Sequence, residues 1–277
     1  MNTNELQTIT EELLSFFVPL ALNLTTLRVN KDFLEYKVKA KNQNEREDVV
    51  TKADIFVQKK IKAYVTSRHP DWQFWGEEGE DNISTYDKSK KYLLIADPLE
   101  GTNNFRFNKD DQWGSVLALV DIESEEPIIS IVAHPTKRNF YVGIKDGEAN
   151  IYQYDEKGVL LNRIPMSLEP EKNTYTYNNN PHFSQKLQNK VQKFISKIEP
   201  ETFEDPESGA LEAVRHKGTI YFKTSNEIAA VFVILTELGG KVTDAQGNPG
   251  FLGINTLIAA RTTEDYTFLK SLYEQTI

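Results

Sequence analysis

The chain contains no cysteine. That rules out disulfides and thiolate metal sites, and it fits a reducing compartment, so a cytoplasmic location is expected. No apolar run approaches the ~20 residues a membrane-spanning helix needs. Met1 to Glu12 lacks the basic cluster and short apolar core of a secretory signal. Positive charge is in deficit: 32 Lys and Arg stand against 41 Asp and Glu, a formal net charge of −9. Nucleic-acid binders carry a basic face, so that class of partner is not expected. An anionic ligand would need local compensation from a metal ion, a helix N-terminus or a placed Lys or Arg. There is no Gly-rich phosphate loop, no P-loop and no G-x-S-x-G elbow. The four histidines, His69, His134, His182 and His216, form no H-x-x-x-H pair and read as structural or surface residues.

What the chain does have is length and mixed periodicity. Its 277 residues, 39% of them hydrophobic, suffice for one large domain or two tightly packed halves. Helical spacing runs through Glu5 to Leu27, where Pro19 is expected to kink or divide the helix. A second helix starts near Asp54 and stops at Pro70. Lys39 to Asp48 reads as an exposed loop or hairpin. Strands are expected at Gln73–Trp75, Tyr92–Ala96 and Trp113–Val120, and a hairpin at Pro127–Ala133 and Phe140–Ile144. Another strand-and-turn segment spans Ala149 to Arg163. In the second half, Thr174–Tyr177 and Leu257–Ala260 read as strands. Ser184–Ile198, Ser208–His216, Asn226–Leu238 and Glu264–Glu274 read as helices, and Gly239-Gly240 ends the third of these. The mixture predicts an α+β fold of sheets covered by helices.

Four acidic segments fall where elements begin or end: Asp48-Val-Val-Thr-Lys-Ala-Asp54, Gly76-Glu77-Glu78, Asp97-Pro-Leu-Glu100-Gly-Thr102 and Asn226-Glu227-Ile-Ala-Ala230. The third is the most informative. A buried strand delivers Asp97 to its C-terminal end, and Pro98 and Gly101 force a tight turn. Such a turn aims two carboxylates, a backbone carbonyl and the Thr102 hydroxyl at one spot, and oxygen ligands of this kind suit Mg²⁺. Each segment also has a plain structural reading: an acidic cap for the third, a solvated pair for Glu77-Glu78, and first-turn acids for Asp54 and Glu227.

Taken together and in order, the segments resemble the inositol monophosphatase family. Asp48 to Asp54 is similar to D-[LV]-V-T-x-A-D, Gly76-Glu77-Glu78 to G-E-E, and Asp97 to Phe105 to D-P-[IL]-D-G-T-x-N-F. Asn226 to Ala230, with Glu237 to Asp244 and Gly247, resembles W-D-x-A-A…E-A-G-G-x-V-T-D…G, and Ser208 to Ala213 resembles the helix start that precedes the last metal ligand. The resemblance extends from about residue 5 to 270. It implies a layered αβαβα sandwich of the inositol monophosphatase and fructose bisphosphatase type, with 1–277 a single unit, 1–165 an N-terminal half and 166–277 a C-terminal half. It also implies a homodimer and a phosphomonoesterase, often lithium-sensitive, that uses two or three Mg²⁺ ions and a metal-activated water on a small phosphate ester. Carried over, Glu77, Asp97 and the Leu99 carbonyl hold one ion, and Asp97, Glu100 and Glu227 another. Asp54, Thr102 and Glu77 serve catalysis. Gly101 and Thr102 cradle the phosphate. Two residues outside that carry-over are candidate substrate contacts: His182, which lies where the family's second half approaches the substrate, and Lys223.

Glu100 and Glu227 depart from the pattern, which has aspartate at both positions. Each adds one methylene to a ligand of the same inferred ion. Either the backbone has moved to keep a working site, one that suits the larger Mn²⁺ or Ca²⁺, or the chain is a weak or inactive member acting as a metal- or ligand-binding or regulatory protein. Asn226 replaces the family tryptophan, and Tyr221-Phe222-Lys223 stands where Tyr-Tyr-Glu meets a polyol. Lys223 favours a second anionic group on the substrate.

Overall fold

The computed structural model describes residues 2–41, 47–81, 85–109, 112–178, 183–204, 209–222, 228–248 and 256–276. Two long helices open the chain, α1 (Thr3–Leu27) and α2 (Lys52–Arg68). The hairpin β1 (Tyr36–Lys41) and β2 (Glu47–Thr51) separates them. Asn2 caps α1 by accepting from the Glu5 amide, and Leu13, Phe17, Ala21 and Leu24 form its buried stripe. Of the two outcomes expected for Pro19, a kink or a break, the break does not occur: α1 runs through it. It lies on the exposed face of α1, where water satisfies the carbonyl that loses a partner, while buried residues on both sides hold the helix to the core.

A seven-stranded sheet follows: β3 (Trp72–Gly76), β4 (Tyr92–Glu100), β5 (Gly114–Asp121), β6 (Glu126–His134), β7 (Asn139–Ile144), β8 (Ala149–Tyr154) and β9 (Leu160–Pro165), paired in that order. Only β3 and β4 run parallel; the remaining pairs are antiparallel. A second sheet pairs β11 (Phe203–Glu204), β10 (Tyr175–Tyr177), β12 (Gly218–Tyr221), β14 (Leu257–Ala260) and β13 (Lys241–Asp244) in that spatial order. Short helix α3 (Thr102–Arg106) follows β4. Helices α4 (Gln185–Ile195), α5 (Gly209–Arg215), α6 (Ala229–Glu237) and α7 (Thr263–Glu274) belong to the second half.

Strand alternation explains the layering, because successive residues face opposite sides of a sheet. Leu94 and Ala96 of β4 join one core with α1 and α2. Their neighbours Leu93 and Ile95 join a second core with α5 and α6. In β14, Leu257 and Ala259 share that second core, whereas Ile258 and Ala260 turn to a third with α4 and α7. The order is therefore helices, sheet, helices, sheet, helices: the αβαβα layering expected above. Among the described residues no helix is long and apolar enough to cross a membrane.

Candidate active site

The candidate site residues collect around the C-terminal ends of β3 and β4. These strands are parallel with Gly76 opposite Ala96, so Glu77, just past the end of β3, stands beside Asp97, which is still paired with Val116 of β5. The Glu77 amide donates to the Ala96 carbonyl at 3.2 Å. Beyond Asp97 the pairing of β4 with β5 slips in register before Glu100 meets Gly114, which lifts the turn off the sheet. The Leu99 amide donates back to Asp97 Oδ1 at 3.0 Å. Gly101 has φ of 79°, a left-handed conformation that other residues adopt only with strain. That geometry turns the chain into α3, whose first residue is Thr102.

Thr102 connects the turn to α2. Its Oγ1 lies 3.1 Å from Asp54 Oδ1 and 3.0 Å from the Leu99 carbonyl. Asp54 is wholly buried, and its Oδ2 accepts from the Thr51 amide at 2.8 Å and from the Thr51 hydroxyl. One carboxylate thus serves both readings, capping α2 through one oxygen and meeting Thr102 through the other. Burial pushes Asp54 up to about 7, although the Thr51 hydrogen bonds pull the other way. A carboxyl in that range suits proton transfer near neutral pH.

Glu100 takes a course that residue order does not reveal. It is buried, and its Oε1 accepts from the Ala210 amide at 3.3 Å at the start of α5. A Cβ on Gly209 would come within 2.8 Å of the Tyr221 hydroxyl and 3.2 Å of Glu100 Oε1, so a glycine is needed for this approach. The extra methylene relative to aspartate is spent on reaching α5. Burial raises the Glu100 pKa, while its contacts with the Asp97 side chain and with the Gly209 and Ala210 amides pull the other way. Two buried carboxyls in contact repel unless a proton or a cation lies between them, so the residues fit a divalent ion.

Sequence reasoning missed Lys39. Its Nζ is 2.9 Å from both Glu77 Oε1 and Glu78 Oε1 and 3.4 Å from Asp48 Oδ1. Burial pulls the ammonium down, but Glu77, Glu78 and Asp48 together hold it well above the usual lysine range. Glu78 in turn is pushed up to about 8, first by burial and then by Glu77. The β1–β2 register is irregular between Val38 and Ala40, and a bulge of this kind re-aims the side chain it carries. No local signal marks that bulge. Gln58 was missed as well: its Oε1 accepts from the Glu78 amide at 2.9 Å and its Nε2 donates to the Glu78 carbonyl at 2.7 Å. It sits one turn after Asp54 on α2, and that helical spacing was the available clue.

Asp54, Glu77, Asp97, Leu99, Glu100, Gly101 and Thr102 therefore converge on the two strand ends and the start of α2. Glu227, Lys223 and His182 lie outside the described residues.

A family model described as the inositol monophosphatase family matches residues 10–276. The chain belongs to that family. A tomato (Solanum lycopersicum) protein named inositol monophosphatase 3 is 25% identical over 136 residues, 49% of this chain and 46% of its own, so the match spans about half the length of that relative. The solved IMPase of Thermotoga maritima is 20% identical with a TM-score of 0.70, covering 96% of this chain and 98% of its own. An IMPase/NADP phosphatase crystallised with Mg²⁺ and phosphate is 18% identical with a TM-score of 0.65, covering 98% and 95%. These likenesses establish the α+β layered fold.

Proposed function

We propose that the chain is a divalent-cation-dependent phosphomonoesterase acting on a small phosphorylated metabolite of the inositol phosphate, sugar phosphate or nucleotide 3′-phosphate class. The observation that carries the reading is the contact series from Asp54 through Thr102 to the Leu99 carbonyl, set beside adjacent Glu77 and Asp97. Glu77, Asp97, Glu100 and the Leu99 carbonyl would hold Mg²⁺, two or three ions with Glu227 included, and Mn²⁺ or Ca²⁺ are alternatives. A bound ion neutralises phosphate charge and acidifies water. Asp54 and Thr102 then position and deprotonate the attacking water, Gly101 and Thr102 hold the phosphate, and Lys223 and His182 meet the rest of the substrate. We read 1–277 as one unit whose halves, 1–165 and 166–277, close on this site, and we place it in the cytoplasm.

A homodimer belongs to the same reading. Edge strand β9 exposes Leu160, Leu161 and Ile164, with Val159 and Leu168 at its ends. An apolar edge of this kind invites a second copy. Leu161→Ser is expected to shift the mass seen by light scattering towards monomer.

A second reading, a silent member that binds without turnover, is favoured by Lys39 among the acids at Glu77 and by Glu100 engaged with α5. The deciding experiment is phosphate release from a panel of these metabolites with Mg²⁺ and Mn²⁺ titrated from zero. Metal-dependent release from one compound establishes the enzyme and its substrate class. No release from any, with tight ion binding retained, would favour the silent reading.

A further inference from the structure

A second group of ionisable residues lies along α5, beyond the end that meets Glu100. Glu212 and Arg215 are on the helix, His216 follows it, Glu204 ends β11, and Glu171 and Lys172 lead into β10. Arg215 donates to Glu212 Oε1 at 2.7 Å and to Glu171 Oε2 at 3.0 Å. Lys172 donates to Glu212 Oε2 at 2.5 Å and to Glu204 Oε2 at 3.2 Å.

His216 does not fit a closed salt-bridge network. Its side chain is fully buried, and Nδ1 is 2.6 Å from the Glu212 backbone carbonyl. A carbonyl only accepts, so Nδ1 carries the proton. In a neutral ring that leaves Nε2 as a bare lone pair. It has no hydrogen-bond partner, yet it faces Glu204 Oε1 at 3.3 Å. That oxygen accepts from the Thr174 hydroxyl at 2.9 Å, but among the described residues nothing positive lies on its side towards Nε2, where the two lone pairs repel. A nitrogen and an oxygen about 2.0–2.2 Å from a tetrahedral ion stand roughly 3.3–3.5 Å apart, and the observed gap matches that edge. One ligand atom each from Glu204, Glu212 and His216 lie within 4.8 Å of one another.

We propose that Glu204, Glu212 and His216 form a cation site, separate from the carboxylates at the β3 and β4 ends, for a divalent ion of the Zn²⁺ class. One imidazole with two carboxylates suits such ions better than Mg²⁺, which favours oxygen alone. The ion enters past Glu204, whose side chain is 41% exposed. It takes the Glu204 oxygen that faces His216, sharing it with the Thr174 hydroxyl, and displaces Lys172 from Glu212. Because α5 also holds Glu100 through the Ala210 amide, loading this site stiffens the helix on which Glu100 rests.

The test uses Co²⁺ as a coloured stand-in for Zn²⁺, titrated into the full chain carrying Asp97→Asn so that the candidate active site is weakened. One equivalent showing tetrahedral ligand-field bands, displaced by one equivalent of Zn²⁺, is the expected result. Glu204→Gln, at a half-exposed position that leaves folding intact, should weaken binding at least tenfold and remove the bands. His216→Gln should do the same, with circular dichroism as the check on folding. Lys172→Ala should tighten binding by removing the competing ammonium. Absence of bands, bands unchanged by Glu204→Gln, or binding seen only after Lys172 is removed would each overturn the proposal.

Discussion

Two clusters in this molecule use the same device, a lysine shared between carboxylates, with different outcomes. Lys39 sits among Glu77, Glu78 and Asp48, one ammonium against three acids, on a hairpin of the N-terminal half. Lys172 and Arg215 sit among Glu171, Glu204 and Glu212, two cations against three acids. The first group is also surrounded by buried Asp54, Asp97 and Glu100. Negative charge crowded into a dry site with so little compensation is stable only if the acids hold protons or a cation arrives. The second group is nearly balanced by its own side chains, and only the orientation of His216 signals something unfinished. Charge imbalance marks the candidate active site, whereas a misdirected lone pair marks the second cluster.

The largest expected effect breaks the first cluster alone. Asp97→Asn should lower metal-dependent phosphate release by about 10³-fold, the scale of losing one preorganised electrostatic group, while the second cluster keeps its Co²⁺ bands. Release at the parent rate would refute the proposed role of Asp97.

Next comes the pH dependence of the metal-free protein. Burial raises Asp54 to about 7 and Glu78 to about 8 in the fold, against about 4 in the unfolded chain. Both folded-state values are raised, so their contribution to stability is complete below pH ~4 and is lost as pH rises through about 7 to 8. With chelator present, Tm should fall by roughly 5 °C or more between pH ~5 and ~8, and saturating Mg²⁺ should remove the slope. A flat profile in chelator would contradict the imbalance argument.

Comparing the two lysines sharpens the contrast further. Lys39→Met should cost about 2 kcal/mol in chelator, because Glu77 and buried Glu78 lose their counter-ion, and Mg²⁺ should restore it. Lys172→Met should cost less, since Arg215 remains bound to Glu212 and Glu171, and Mg²⁺ should not restore it. Denaturant midpoints with and without Mg²⁺ decide this. The smallest effect is expected from Gly209→Ala, whose Cβ would press on the Tyr221 hydroxyl and Glu100. A loss of about 1–2 kcal/mol, with metal affinity changed more than fold, would show that Glu100 depends on α5.

The layers were readable from residue order because strand alternation and helical spacing are local. The turn from Asp97 to Thr102 was readable because Pro98 and Gly101 constrain the backbone wherever they occur. Helix limits moved by one to three residues, as with Ser184–Ile198 against α4, since the ends are set by caps and tertiary contacts. Contacts across long separations left no local mark. Lys39 reaches Glu77 through a bulge, Glu100 reaches Ala210 across 110 positions, and the ligands at Glu204 and His216 meet only after β10, β11 and α5 assemble.

Thr102 carries a single hydroxyl hydrogen, and two acceptors compete for it, Asp54 Oδ1 and the Leu99 carbonyl. While Asp54 is protonated, the acid donates to Thr102, and Thr102 passes its own hydrogen to Leu99. Once Asp54 ionises, the hydroxyl rotates to the carboxylate and the Leu99 oxygen is released. That oxygen is one of the proposed cation ligands. Under the proposed roles, ionising Asp54 and freeing the Leu99 oxygen for an ion would favour one another through this one hydrogen.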